Sequence, residues 1–174
     1  MPRIELDRAR IERLLESAAE KLTGDWVLVG GAAAAVWFAP SRTTEDIDLI
    51  GPQGTNADLL LLMEIAESHG LPVETINAAA GFYLRRVIGW NQELVLLRAG
   101  HAKIYRPNAT LFLLLKISRL GEKDLDDCLS LLAWSNTHAE AVDRARVATA
   151  IAGLPATTDV ALAERRHHLA VALG

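Results

Sequence analysis

Residues 26–50, WVLVGGAAAAVWFAPSRTTEDIDLI, limit what this chain can fold into more than any other stretch. Four apolar residues with strand character run into Gly30-Gly31, a run of alanines follows, and a second apolar segment carries Asp46-Ile47-Asp48. The pattern predicts strand, turn, small-residue helix and strand within one compact unit. Side chains alternate faces along a strand, so Asp46 and Asp48 share one face while Ile47 and Leu49 point into a core. Two carboxylates roughly 7 Å apart on a strand suit hard cations better than they suit stability. A glycine pair opening a helix offers backbone N–H groups to an anion.

The rest of the composition is compatible with such a core. The chain has 174 residues, 51% hydrophobic and 23% charged, which excludes a disordered polymer and predicts one globular domain. No apolar run reaches the roughly 20 residues that span a bilayer. The first 22 residues alternate charged and apolar positions at helical spacing, as an amphipathic helix does and a signal peptide does not. The one cysteine, Cys128, leaves no intramolecular disulfide and no Cys-rich zinc site, so the expected address is a reducing cytoplasm without membrane contact. Net charge is −4, which argues against bulk nucleic-acid binding. Residues 81–123, however, hold eight basic side chains against two acidic ones, a balance of +6, leaving −10 elsewhere. A basic segment in an acidic chain suits a local anion such as a triphosphate or an RNA end.

Along the chain, the spacing predicts helices over 4–22, 32–38 and 57–69, and strands over 26–29 and 44–50. GPQGTN, residues 51–56, reads as a turn. Four short strands follow, at 73–76, 82–87, 93–98 and 102–105, as a meander of antiparallel hairpins. Helices are predicted over 109–120, 123–135, 138–152 and 158–173. The expected class is α/β (α+β), a small mixed sheet flanked by helices, with 1–107 as an α/β core and 108–174 as a helical part of the same domain.

Gly30-Gly31 followed by Arg42-x-x-Glu45-Asp46-x-Asp48-Leu49 resembles the DNA polymerase β-like nucleotidyltransferase superfamily. Lys116-x-x-Arg119-x-x-x-Lys123-Asp124-x-x-Asp127 is similar to a signature of small bacterial nucleotidyltransferases of the AbiEii and MenT toxin type. The resemblance covers 26–50 and 109–132 well and the middle strands loosely. It implies a nucleotidyltransferase fold and transfer of a nucleoside monophosphate from a triphosphate, with release of pyrophosphate. On that reading Asp46 and Asp48 ligate magnesium, with two ions possible, and Glu93 is the plausible third carboxylate. Gly30 and Gly31 cradle the triphosphate. Lys116 neutralises phosphate charge, and Asp124 is the later catalytic carboxylate. Arg42, Thr44, Arg85, Arg119 and Lys123 complete the nucleotide-binding set. The implied acceptor is an RNA end, tRNA first, or a protein, and a cognate toxin or antitoxin is a possible partner. Two alternatives stand beside it: a non-catalytic member of the same fold acting as a binding protein or antitoxin, and an enzyme that modifies a small antibiotic-type compound.

The individual residues can also be weighed physically. Lys116 sits in LFLLLKISRL, apolar on nearly every side, and a buried lysine needs an anion beside it. Asp124, Asp126 and Asp127 fall in the first turn of the next predicted helix, where acids complement the helix dipole whatever else they do. Arg85 and Arg86 would alternate faces of a strand, so at most one points into a cleft. His167 and His168 diverge by about 100° on a helix and do not share a metal. Cys128 and the tryptophans read as packing, with Trp90 at a hairpin tip as a candidate stacking surface for a base.

Overall fold

A computed structural model describes residues 4–51 and 56–174. The chain is α+β, with a five-stranded mixed sheet and, among the described residues, eight α-helices. It divides into two compact units, residues 1–107 and 108–174. No helix of the described residues is long and apolar enough to cross a membrane.

In the first unit, α1 (Arg8–Lys21) starts at Asp7, whose carboxylate accepts from the Arg10 N–H at 2.8 Å. It begins later than its periodicity predicts because Leu6 is taken by the sheet side of the unit: Leu6 and Thr44 exchange backbone hydrogen bonds as an isolated antiparallel bridge. The stripe Ile11, Leu14, Leu15 and Ala18 is buried, as its helical spacing dictates. β1 (Gly24–Val29) passes directly into α2 (Gly30–Trp37), in which Ala32 to Val36 are all buried. Such small side chains let α2 sit close to both β1 and the next strand, β2 (Ile47–Ile50). The predicted strand 44–50 is therefore shorter, and Asp46 lies just outside it. The predicted turn at 51–56 lies mostly outside the described residues.

After α3 (Asn56–Ser68), Val73–Thr75 forms a 3-10 turn and Ile76–Asn77 a two-residue strand, β3. The meander expected next does not form. Residues 81–86 make a short helix, α4 (Gly81–Arg86), instead of a strand. The Asn77 side chain accepts from the Ala79 N–H at 3.0 Å, an Asx turn that starts the coil, and Ala78–Ala80 favour its continuation into helix. Trp90–Gln92 is a 3-10 turn rather than a hairpin tip. Only the last pair is the antiparallel hairpin that the pattern predicts, β4 (Leu94–Ala99) with β5 (Ala102–Pro107). The sheet order is β3-β2-β1-β5-β4, with β1 antiparallel to β2 and parallel to β5, and β2 parallel to β3.

The second unit is helical: α5 (Ala109–Lys116), α6 (Glu122–Ser135), α7 (Arg144–Ala152) and α8 (Val160–Leu173). Asn108, Asp143 and Asp159 cap α5, α7 and α8 with their side chains. The helix predicted from 138 starts six residues later because this segment is used elsewhere. Glu140 accepts from the Ala109 N–H at the start of α5, and the Asp143 N–H donates to Thr110. Between α5 and α6, Leu120 adopts φ +39, and its carbonyl accepts from the Arg165 guanidinium at 2.6 Å.

Candidate active site

The first cluster is built around the β1–α2 junction. Gly30 has φ +71, and a Cβ on it would lie 3.0 Å from Asp48 Oδ2. Glycine is needed there twice over, for the backbone conformation and for the approach of the carboxylate. A Cβ on Gly31 would lie 3.0 Å from Arg42 Nη2 and 3.1 Å from Thr44 Oγ1. Arg42, Thr44 and Asp48 thus converge on the two glycines that open α2. The first N–H groups of any helix lack intrahelical partners and carry the positive end of its dipole.

Sheet register explains why Asp48 arrives there. It is the β2 residue opposite Val29, the last residue of β1, and its other neighbour in the sheet is Asn77. Asp46 is exposed just before the strand; Thr44 Oγ1 donates to its carbonyl at 3.2 Å and lies 3.3 Å from its Oδ1. The Arg42 guanidinium also donates to the Thr43 carbonyl. The six residues Gly30, Gly31, Arg42, Thr44, Asp46 and Asp48 therefore form one neighbourhood of amide donors, one guanidinium and two carboxylates.

Glu93 is not brought to this neighbourhood. It stands immediately before β4, with β1 and β5 between β4 and β2, which at ordinary strand spacing is roughly 14 Å away. Among the described residues no three His, Cys, Asp or Glu side chains gather at metal-binding distance. Magnesium keeps several waters and is commonly held by one or two carboxylates plus substrate phosphates, so the hard oxygen donors of Asp46 and Asp48 fit it chemically. Arg85 lies in the last turn of α4 and is exposed; its Nη1 folds back to 3.2 Å from where a Gly81 Cβ would be. The strand reading of Arg85 and Arg86 is corrected accordingly.

The second cluster lies within the helical unit. Lys116 ends α5, is only 8% exposed, and donates to Asp124 Oδ1 at 2.7 Å and Asp127 Oδ2 at 3.0 Å. Asp124 Oδ2 also accepts from Arg119 Nε at 3.2 Å and from the Gly121 N–H at 3.0 Å. From the third position of α6, Asp124 thus reaches back to the N–H of the cap residue Gly121 and partners the buried ammonium at once. Burial pushes its carboxyl upward. The charge of Lys116, with the hydrogen bonds from Lys116, Arg119 and Gly121, outweighs burial and holds the group below its ordinary 3.8. Lys123 is exposed on the first turn of α6. Cys128, one turn beyond Asp124, is fully buried, and burial together with the two carboxylates lifts its thiol to about 12 against the opposing pull of Lys116. It is a packing residue with no thiolate to offer.

Two features escape a sequence reading. Asn77 stands in register beside Asp48, and its only sequence signal is an asparagine opening the turn INAAA. The Arg106 guanidinium sits 3.7 Å from the centre of the Trp37 ring, a pairing of residues 69 positions apart that no local pattern announces. Set against known family models, curated proteins and solved structures, the chain matches none.

Proposed function

We propose that the chain is a magnesium-dependent nucleotidyltransferase that moves a nucleoside monophosphate from a triphosphate to an acceptor hydroxyl. The observation that carries this reading is the Asp48 carboxylate set against Gly30 at the start of α2, with Arg42 and Thr44 set against Gly31. That combination puts phosphate-binding groups and cation-binding groups within one turn of each other, which is what phosphoryl-type transfer needs from a protein.

In the proposed reaction the acceptor oxygen bonds to the α-phosphorus, the bond to the bridging oxygen breaks, pyrophosphate leaves, and the acceptor proton passes to solvent. The first N–H groups of α2 and the Arg42 guanidinium hold the phosphates, and the two glycines let the backbone come close enough to do so. Asp46 and Asp48 would hold magnesium, which supplies neutralisation of charge on the phosphate oxygens when bound. Lys116 and Asp124 enter as the pair that fixes α6 to α5, a role that their mutual bond supports.

A second reading, nucleotide binding without turnover, is favoured by the position of Glu93 three strands from β2. One experiment separates the two. The protein is incubated with each labelled triphosphate, magnesium and total RNA, and thermal stability is followed in parallel. Label transfer that falls at least about 100-fold in Asp48→Asn supports the enzyme. Magnesium-dependent stabilisation by a triphosphate without transfer supports the binding module. Neither transfer nor stabilisation, or transfer unchanged in Asp48→Asn, overturns the assignment of this site.

A further inference from the structure

α4 is an unusual helix for a water-facing surface. Of its six residues only Gly81 and Leu84 are buried, and Leu84 anchors it. Phe82 is 64% exposed and Tyr83 47%, while Ile88, just after the helix, is 94% exposed. The two rings meet edge to face, 5.5 Å between centres, and the Arg86 guanidinium lies 5.3 Å from the centre of Phe82. Arg85, in the last turn of the same helix, is exposed as well. Exposed apolar side chains gathered into one patch, unlike those scattered singly, mark interaction surfaces.

Charge points to the class of that ligand. No acidic residue occurs between Glu74 and Glu93, whereas Arg85 and Arg86 both fall there, in a chain of net charge −4. Exposed rings interleaved with arginines match single-stranded nucleic acid, whose bases stack on aromatic and guanidinium planes while its phosphates pair with cations. A protein-binding helix face would need its apolar residues at i, i+3 or i+4, and Phe82 and Tyr83 are adjacent instead. A membrane-surface helix needs a longer apolar stripe than six residues give.

Position ties this surface to the candidate site. β3 ends at Asn77, the register neighbour of Asp48, and α4 begins four residues later. A Cβ on Gly81 would lie 3.3 Å from Cγ2 of Ile50, so α4 rests on the strand that carries Asp48, two residues away. We propose that α4 is a docking platform for single-stranded nucleic acid, with bases stacked on Phe82 and Tyr83 and phosphates held by Arg85 and Arg86. As the platform that presents an acceptor strand it rests on the nucleotidyltransferase reading; as a binding surface it does not.

The test is fluorescence anisotropy of a labelled single-stranded RNA dodecamer on the full chain, without triphosphate or magnesium. Two ion contacts predict an affinity that falls with salt at a log–log slope of about −1.4. Phe82→Ala/Tyr83→Ala weakens binding at least about tenfold with the slope kept, because two stacked bases are lost. Arg85→Ala/Arg86→Ala flattens the slope. Phe82→Tyr/Tyr83→Phe, which keeps both rings, retains the affinity. Absence of RNA binding, affinity indifferent to the alanine pair, loss in the ring-preserving pair, or binding to phosphatidylserine vesicles in place of RNA overturns the proposal. RNA binding without nucleotidyl transfer sustains the platform and counts only against the reaction.

Discussion

Replacing Lys116 with methionine should cost the protein about 3–5 kcal/mol at neutral pH, and the cost should shrink as the solution is acidified. The ammonium is buried between carboxylates at 2.7 and 3.0 Å. With an effective dielectric of about 20 those contacts are worth roughly 6 and 5.5 kcal/mol of gross attraction. Most of that offsets the desolvation of three charges, so the net worth of the cluster is small. Methionine fills nearly the same volume but removes the cation from between the buried Asp124 and Asp127 carboxylates; Asp124 keeps the Gly121 N–H and the Arg119 guanidinium, which is 79% exposed and screened by water. The pH dependence follows from the sign of the shift. In the native protein Asp124 is held below 3.8, so its contribution is complete above the unfolded value and is lost as pH falls through the native one. In Lys116→Met both contributions of Lys116 are gone and burial, the largest cause, is opposed only by the Arg119 and Gly121 hydrogen bonds, so the native carboxyl is expected to rise above its unfolded value and the native state then binds the proton more tightly. Stability lost at neutral pH is therefore partly regained as pH falls through that raised value. Urea denaturation of both proteins, followed by circular dichroism at about pH 7 and about pH 4.5, measures the difference. A loss under about 1 kcal/mol at neutral pH, or a loss equal at both pH values, would refute the reasoning.

Gly30→Ala and Gly70→Ala form a matched pair, since both positions have φ near +70 and only Gly30 faces a carboxylate where its Cβ would go. Backbone strain of about 1–2 kcal/mol is expected in both, with a further loss in Gly30→Ala from displacing Asp48. Equal urea midpoints for the two would show that Asp48 does not depend on the bare glycine. Cys128 should ignore Ellman's reagent in the folded protein at mildly alkaline pH and react once urea unfolds it, because its thiol is buried and lifted to about 12. Rapid labelling of the folded chain would contradict that burial.

Some of this was written in local sequence. The order β1, Gly-Gly, α2, β2 follows from a strand-length apolar run, a breaker pair and an alanine run, each a nearest-neighbour preference. Burial of the α1 stripe follows from helical spacing alone. That Lys116 must have an anionic partner followed from its apolar surroundings, and Asp124 and Asp127 supply it. The middle of the chain departs from its local pattern for a physical reason. Phe82–Val87 is rich in residues that favour strands, but the Asx turn at Asn77 and the burial of Leu84 make it a helix. The helix start at Arg144 was equally hidden, because the preceding segment is ordered around α5 by contacts distant in sequence, Glu140 with the Ala109 N–H and the Asp143 N–H with Thr110.

By itself the sequence determined which segments could be elements and which side chains needed company: two glycines before a helix, an aspartate within an apolar strand, a lysine among leucines. Those are consequences of short-range sterics and of the cost of burying charge, and both act wherever the chain goes. Only the tertiary structure decided who the companions are. The register of β2 against β1 and β3 sets Asp48 beside Gly30 and Asn77. The strand order puts Glu93 at the far edge of the sheet. The packing of α4 on Ile50 turns Phe82 and Tyr83 outward. Register and strand order are fixed by the summed burial of whole faces, a quantity no short stretch of sequence contains.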